Sequence, residues 1–367
     1  MSIHTPEQRW LRLFFVIVMT GISLLCLTNL IVDPFDIFGV GILPRPRLDN
    51  LRSIKIRYLR EHHDLYDSYI FGSSRIGILD PVWLERYLPE RRFYNMFVPG
   101  SSPYDQVRHL RYFLRQGYTV KRIFLQYDIE PEYAPPPDML FMRLHPLVTG
   151  ENPVVAKARY LVLFSRDALE AKLRYNFDPP SVVYYPASGH MIDLEKERWI
   201  EAHPEEHLAR EGTFHERVTR EPVFPGWVLQ QKLDGLSEFV ALCRRHDIVL
   251  DVAVTPHNQI YLDRQNRQGY LYELRRLAEI TGGYWDFSGY NSVTTNNLNY
   301  FESSHYRPQV AFWLLARIYE QEPQSVPADF GRYVTPANLA GYLARRAAEL
   351  DRRDQMLREQ RDQGSVP

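Results

Sequence analysis

The chain has 367 residues, 44 Lys and Arg against 45 Asp and Glu, and a formal net charge of -1; this length suits one elaborated α/β domain with a tail. With that balance and no basic motif interleaved with aromatics, nothing marks a nucleic-acid binder, and nucleic acid is set aside as a partner. The 24 tyrosines and 13% aromatic content suit an apolar or saccharide-facing surface, while the two cysteines, Cys26 and Cys243, offer neither disulfide framework nor metal-ligand spacing.

After an N-terminal tail (1–12), residues 13–32 (LFFVIVMTGISLLCLTNLIV) contain no charge and are long enough to cross a hydrocarbon core of ~30 Å as a helix rising ~1.5 Å per residue. A secretory signal would have a shorter apolar centre followed by a small-x-small cleavage site, whereas NLIVDPFDIF follows here, so an uncleaved transmembrane helix is expected. Arg9 and Arg12 precede it, and Arg45, Arg47, Arg52, Lys55 and Arg57 follow it, so basic residues do not decide its orientation. Residues 33–53, punctuated by Pro and Gly, read as a linker, and the folded domain is expected over 54–322.

Within that domain strand and helix alternate. SYIFG (68–72) predicts a buried strand, and Asp80-Pro81 a cap and first turn for a helix to about Leu88. RFYNMFV (92–98) predicts a second strand; Ser102-Pro103-Tyr104-Asp105 resembles a capping box opening a helix that Gly117 ends; KRIFLQYD (121–128) predicts a third strand. Helical spacing of Val228, Leu229, Lys232, Leu233, Leu236, Phe239, Val240 and Cys243 precedes a strand at 248–256. A helix over 269–280, a short strand at 283–289 and a helix over 308–319 complete the run. Such alternation predicts a parallel sheet covered on both faces, with sites gathered at the carboxyl ends of its strands. Residues 131–225 break the pattern as an insertion, read as a cap, a substrate-facing subdomain or a surface elaboration. The tail, 323–367, predicts a charged helix with Leu339, Tyr342, Leu343, Ala347 and Leu350 in a stripe that packs on the domain or on a partner.

Ser74 falls between the first strand and the helix after it, at the carboxyl edge where α/β enzymes place nucleophiles. A serine hydroxyl needs a base to take its proton and a carboxylate to orient that base. YFESSHYRP (300–308) supplies His305, with Glu302 three residues earlier on a loop entering the last helix. Asp286 on the preceding strand is the alternative carboxylate. His257, at the end of the fourth strand, is a candidate substrate contact or a loop residue. Arg75 would hold an anionic sugar or pair with a carboxylate.

Gly72-Ser73-Ser74 after the first strand, Asn95 with Pro99-Gly100-Ser101 after the second, and a carboxylate three residues before a late histidine together resemble the SGNH/GDSL hydrolase superfamily. The likeness is to its membrane-anchored members that act on cell-envelope polymers, the alginate acetylation proteins and the D-alanyl transfer protein of teichoic acid. It covers roughly residues 68–128 and 248–319. The resemblance implies a three-layer, flavodoxin-like parallel sheet, with Ser74 as nucleophile, Ser73 at the family's Asp position, His305 as general base and Glu302 as its orienting acid. It implies Gly100 as a backbone oxyanion donor beside the N–H of Ser74.

Two positions depart from the family pattern. Glu302 stands where Asp is usual, and the third strand ends in Gln126-Tyr127-Asp128 where an Asn donor is usual; an ionised Asp128 cannot donate to an oxyanion, which makes Asn95 a candidate donor. The implied activity is transfer of an acyl group, acetyl by the family's habit, through an acyl-serine to an exported polysaccharide. By the same resemblance the domain lies on the periplasmic or extracellular side of a bacterial inner membrane, and a membrane-bound O-acyltransferase supplies the acyl group. No cofactor is implied. An esterase using water as acceptor, and a non-catalytic accessory module of a polysaccharide synthesis or export complex, stand as alternatives.

Overall fold

The computed structural model describes residues 5–45, 48–129, 145–216, 226–320 and 325–362. The chain divides into two compact units. One takes its described residues from Arg60–Pro137 and Ser181–Pro367, the other from Met1–Leu59 and Asp138–Pro180.

The first unit is built on a six-stranded sheet of β1 (Ser68–Phe71), β2 (Phe93–Asn95), β3 (Arg122–Tyr127), β4 (Val249–Val254), β5 (Tyr284–Asp286) and β6 (Arg332–Val334). Reading from one edge the order is β2-β1-β3-β4-β5-β6. All neighbours are parallel except β6, which pairs antiparallel with β5. The 2-1-3-4-5 order is that of doubly wound sheets and puts its switch point between β1 and β3, where the serine loop leaves β1.

Alternation along β1 explains how both faces are covered. Tyr69 and Phe71 point the same way, their rings 4.8 and 6.1 Å from Phe113 of the helix Pro103–Arg115. Phe71 also meets Phe239 of the helix Gly226–Arg245 edge-on at 5.5 Å. Elsewhere the helices Pro81–Glu85 and Pro308–Tyr319 are joined through Trp83 and Phe312, 4.3 Å apart.

Most of the expected elements form; the strands are shorter than expected, while the helix expected over 269–280 runs from Arg267 to Thr281. The helix capped by Asp80 stops at Glu85, because Tyr87 and Leu88 already turn back onto the Leu84 carbonyl. The capping box expected at Ser102 does not form: its side chain makes no cap hydrogen bond. Gly117, at φ 74, ends that helix in the left-handed conformation that favours glycine.

The domain does not stop at residue 322. β6 extends the sheet, and the helix Leu339–Asp362 buries Tyr342, Leu343 and Leu350 within this unit. Arg353 grips Asp263 with its closest contact at 2.6 Å, so the tail packs on the domain. The insertion is divided as well. Residues 131–144 and 217–225 lie outside the described residues; the helices Pro146–Thr149, Pro153–Leu161 and Arg166–Phe177 belong to the second unit, and residues from Ser181 onward to the first.

The second unit opens with a helix from Pro6 to Val32, long and apolar enough to cross a membrane, with mean hydropathy 2.4 over its best window. It starts seven residues before the charge-free stretch, on a capping box made by Thr5 and Gln8. The expected linker is instead folded from its first residues: Asp33 ends the helix at φ 48, and its carboxylate accepts the N–H groups of Ile37, Phe38 and Gly39 at 2.9, 3.0 and 2.7 Å. Phe35 then packs with Tyr160 and Ala168, and Lys172 pairs with Asp36 at 2.5 Å in a buried ion pair.

Phe113 touches Tyr69, Phe71, Tyr112 and Tyr118, so its removal leaves a cavity against β1. Phe113→Ala is expected to lower stability by about 3–5 kcal/mol. Denaturant unfolding of the full chain in detergent, followed by near-UV circular dichroism, would check this; a loss within a few tenths of a kcal/mol would contradict the packing described.

Candidate active site

The serine turn is dictated at its first residue. A Cβ on Gly72 would lie 2.7 Å from Ile76 Cγ2 and 3.2 Å from the Gln126 carbonyl oxygen, so only glycine lets β1 run this close to β3 before turning. The chain then folds into a short 3-10 turn, Ser74–Ile78, capped by Ser73, whose hydroxyl accepts the Arg75 N–H at 3.4 Å. Ser74 is the first residue of that turn, half-buried at the carboxyl edge of the sheet.

The histidine arrives on a two-stranded hairpin, Tyr300–Glu302 with His305–Tyr306, in which Glu302 pairs directly with His305. The sequence suggested only a loop there. Tyr306 hydroxyl donates to Gln126 Oε1 at 2.7 Å, and Tyr300 hydroxyl to the Pro256 carbonyl at 2.8 Å, so the hairpin is pinned to the ends of β3 and β4. His305 Nε2 then lies 2.9 Å from Ser74 Oγ. Its Nδ1 hydrogen-bonds Glu302 Oε1.

The carboxylate of Glu302 is further held by the Ser304 N–H at 2.8 Å and the Ser304 hydroxyl at 3.0 Å. Burial pushes this acid up, but the hydrogen bond and charge of His305 together with Ser304 outweigh it and draw it down to about 2. It is therefore ionised at neutral pH and accepts the proton on Nδ1, which leaves Nε2 facing Ser74 as the basic nitrogen.

Arg75 lines the cavity, but its guanidinium is engaged within the protein. It is buried, with Nη1 3.3 Å from Asp128 Oδ2 and Nε donating to the Ser304 carbonyl at 3.1 Å. Asp128 also accepts from Thr255 Oγ1 and from the Ser73 side chain. Burial raises this acid, but Arg75, His257 and these hydroxyls together hold it below the ordinary range. The Asp128 carboxylate thus acts as an anchor for the serine turn.

Asn95, His257 and Asp286 are likewise committed elsewhere. Asn95 Nδ2 donates to the carbonyls of Ile76 and Leu79 at 2.9 and 2.8 Å, and its oxygen accepts the Phe97 N–H; it ties down the far end of the turn. His257 is buried, stacks on Tyr261 at 4.5 Å and sits 3.9 Å from Asp128. Burial and then the charge of Arg75 hold its ring well below the usual histidine value. Asp286 accepts from Ser288 and Tyr342 and pairs with Arg346, which makes it an anchor for the C-terminal helix. Gly100 has φ 60, as a loop glycine does, and does not line the cavity.

Ser74 and His305 open into a cavity of about 260 Å³. Its far wall comes from the insertion: Val182 and the hairpin Val183–Tyr184 with Met191–Ile192, then Lys196 on the helix Leu194–Ala202. Ile78 and Phe301 add apolar surface. Arg307, next to the hairpin, clamps Glu197 at 2.8 and 2.9 Å and fixes wall to floor. None of these wall residues stands in a motif, and the one available signal was the insertion itself. Among the described residues no group of three or more His, Cys, Asp and Glu could hold a metal ion.

No family model matches this chain, and no curated protein matches it.

Asp128→Ala would remove the carboxylate that faces the buried Arg75 guanidinium, and a loss of about 3–5 kcal/mol is expected in denaturant unfolding. A pH test isolates Glu302. Its folded value is depressed, so its stabilisation is fully present above the ordinary 4.5 and is lost as pH falls from there through about 2. The stability difference between wild type and Glu302→Gln should be flat above about pH 5 and shrink below it; a difference that grows on acidification would be inconsistent with an ionised, hydrogen-bonded Glu302.

Proposed function

We propose that this chain is a membrane-anchored, SGNH-like serine acyltransferase that moves an acyl group to a hydroxyl of an exported cell-envelope polysaccharide. The observation carrying the proposal is the 2.9 Å approach of His305 Nε2 to Ser74 Oγ, with Nδ1 engaged by an ionised Glu302. A serine and a Glu-His pair 231 residues away meet in the geometry that proton transfer from a nucleophilic serine requires. The strand order, with the serine after β1 and the histidine before the last sheet-covering helix, supports the superfamily resemblance.

In the first half-reaction Ser74 Oγ attacks the carbonyl carbon of the acyl donor while its proton passes to His305 Nε2. The tetrahedral intermediate collapses, the donor's oxygen leaves with that proton, and an acyl-serine ester remains. In the second, an acceptor hydroxyl gives its proton to Nε2 and attacks the ester, and Ser74 regains the proton on leaving. Glu302 holds the imidazole in the required tautomer and offsets the charge of the imidazolium at each step. The N–H of Ser74, first in its turn, is the proposed oxyanion donor. An apolar wall carrying Lys196 suits an acyl group beside an anionic or polyhydroxylated acceptor.

The apolar N-terminal helix would keep the chain at the membrane, with the α/β unit on the periplasmic or extracellular face. A membrane-bound O-acyltransferase is the proposed source of the acyl group.

Intact-mass measurement after treatment with a serine-reactive phosphonate tests the reading. Wild type should gain one adduct, and Ser74→Ala and His305→Ala none. In the acceptor assay, Glu302→Gln should retain binding while losing about 10²–10⁴ in rate. Release of acyl groups to water at the rate of transfer to an oligosaccharide would favour an esterase. A wild type without adduct, and an unaffected Ser74→Ala strain, would favour a non-catalytic module.

A further inference from the structure

The unit carrying the apolar helix turns hydrophobic side chains outward in a regular pattern. In the helix Pro153–Leu161, Ala156 and Tyr160 face inward, and the Tyr160 ring packs at a tilt 5.3 Å from Phe35. Val154, Val155 and Ala158 face outward, and Val162 continues the row. The helix Arg166–Phe177 repeats the arrangement: Ala168 and Lys172 are buried, while Leu173 and Phe177, one turn apart, are exposed, Phe177 at 78%. Phe164, between the two helices, is 70% exposed and Val154 is 74% exposed. Each helix therefore carries apolar side chains on a face that the unit's own core does not use.

Two hydrogen-bonded links show where the second face sits. Asn29, in the last turn of the apolar helix, donates to the carbonyls of Tyr160, Leu161 and Leu163 at 3.1, 2.9 and 2.8 Å. This one amide satisfies the chain end of the helix Pro153–Leu161 and ties it to the level of residue 29. The Ile42 N–H donates to the Ile31 carbonyl at 2.8 Å, which brings Ile42, 72% exposed, alongside the same turn. A helix able to cross a bilayer places its final turn at the hydrocarbon boundary. Lys157 and Arg159, both exposed beside the stripe, have stems long enough to lie along it while their charges reach water.

We infer that the helices Pro153–Leu161 and Arg166–Phe177 lie in the membrane interface, with Val154, Val162, Phe164 and Phe177 inserted among the lipids of the leaflet reached by the C-terminal end of the apolar helix. Membrane lipid is the occupant because the exposed stripe is continuous with the lipid-facing surface of that helix through the Asn29 and Ile42 bonds. The inference rests on the membrane-anchor part of the proposed function and is independent of its chemistry.

The test uses the full chain with Cys26→Ala and the buried Cys243 left in place. Single nitroxide labels are introduced by Val154→Cys, Phe164→Cys or Phe177→Cys, with Val18→Cys in the apolar helix and Val249→Cys on the α/β unit as references. After reconstitution into vesicles of phosphatidylcholine and phosphatidylglycerol, collision with oxygen is compared with collision with a water-soluble nickel chelate. Oxygen should dominate at 154, 164 and 177 as it does at 18, and the chelate at 249. Chelate access at the three sites with Val18 lipid-like would overturn the inference while leaving the anchor intact. Shielding from both agents would overturn it in favour of a second copy of the chain covering this face. Chelate access at Val18 itself would overturn the anchor, and the inference with it.

Discussion

Arg75 is the residue on which the candidate site depends. It follows Ser74 directly, meets Asp128 at the end of β3, and donates to the carbonyl of Ser304 between Glu302 and His305. One buried guanidinium thus joins the serine turn, the central strand and the histidine hairpin, which are far apart in sequence. A buried ion pair gains little net stability over an apolar replacement, since desolvation consumes most of the attraction. Its value here is geometric: a planar fork with fixed donors holds three backbone segments in one register, and the short Ser74–His305 distance is the result.

The same network explains why so many titratable groups surround the site without taking part in it. Asp128 neutralises Arg75; Thr255 and Ser73 saturate Asp128; His257, kept neutral by burial and by Arg75, fills the remaining space against Tyr261. Asn95 closes the turn from below by spanning the carbonyls of Ile76 and Leu79. Asn95 and His257 are polar and sit near strand ends, which made them candidate functional residues in sequence; the structure engages both within the network around Ser74. At the cavity, Lys196 stands half-exposed, 3.8 Å from Glu211.

What was legible in the sequence follows from this division. The strands β1, β3 and β4 are mainly apolar runs between turn residues, and the amphipathic helices carry long periodic stripes, so local chemistry declares them. Ser74 and His305 were found because strand ends and helix entries bracket them. The hairpin at residues 300–306, the wall hairpin at 183–192 and β6 have strands of two or three residues, too short for any periodicity. Roles set by distant partners were equally hidden: nothing local to Asp286 announces Arg346, and nothing local to Asp33 announces that it folds the segment taken for a linker.

The glutamate at position 302 illustrates how local geometry sets the length of an acid. Across an antiparallel pair the Cβ atoms of facing residues are about 4.5–5.5 Å apart. Glu302 and His305 are such a pair, joined by the turn Ser303-Ser304, so the carboxylate must bend back over the turn to reach Nδ1. The extra methylene of glutamate supplies that reach. Ser304, whose N–H and hydroxyl both bind the carboxylate, then fixes the longer side chain against the rotamer freedom that it brings. Glu302 and the serine two residues on are thus one structural solution, in which a long acid comes with the donors that hold it in place.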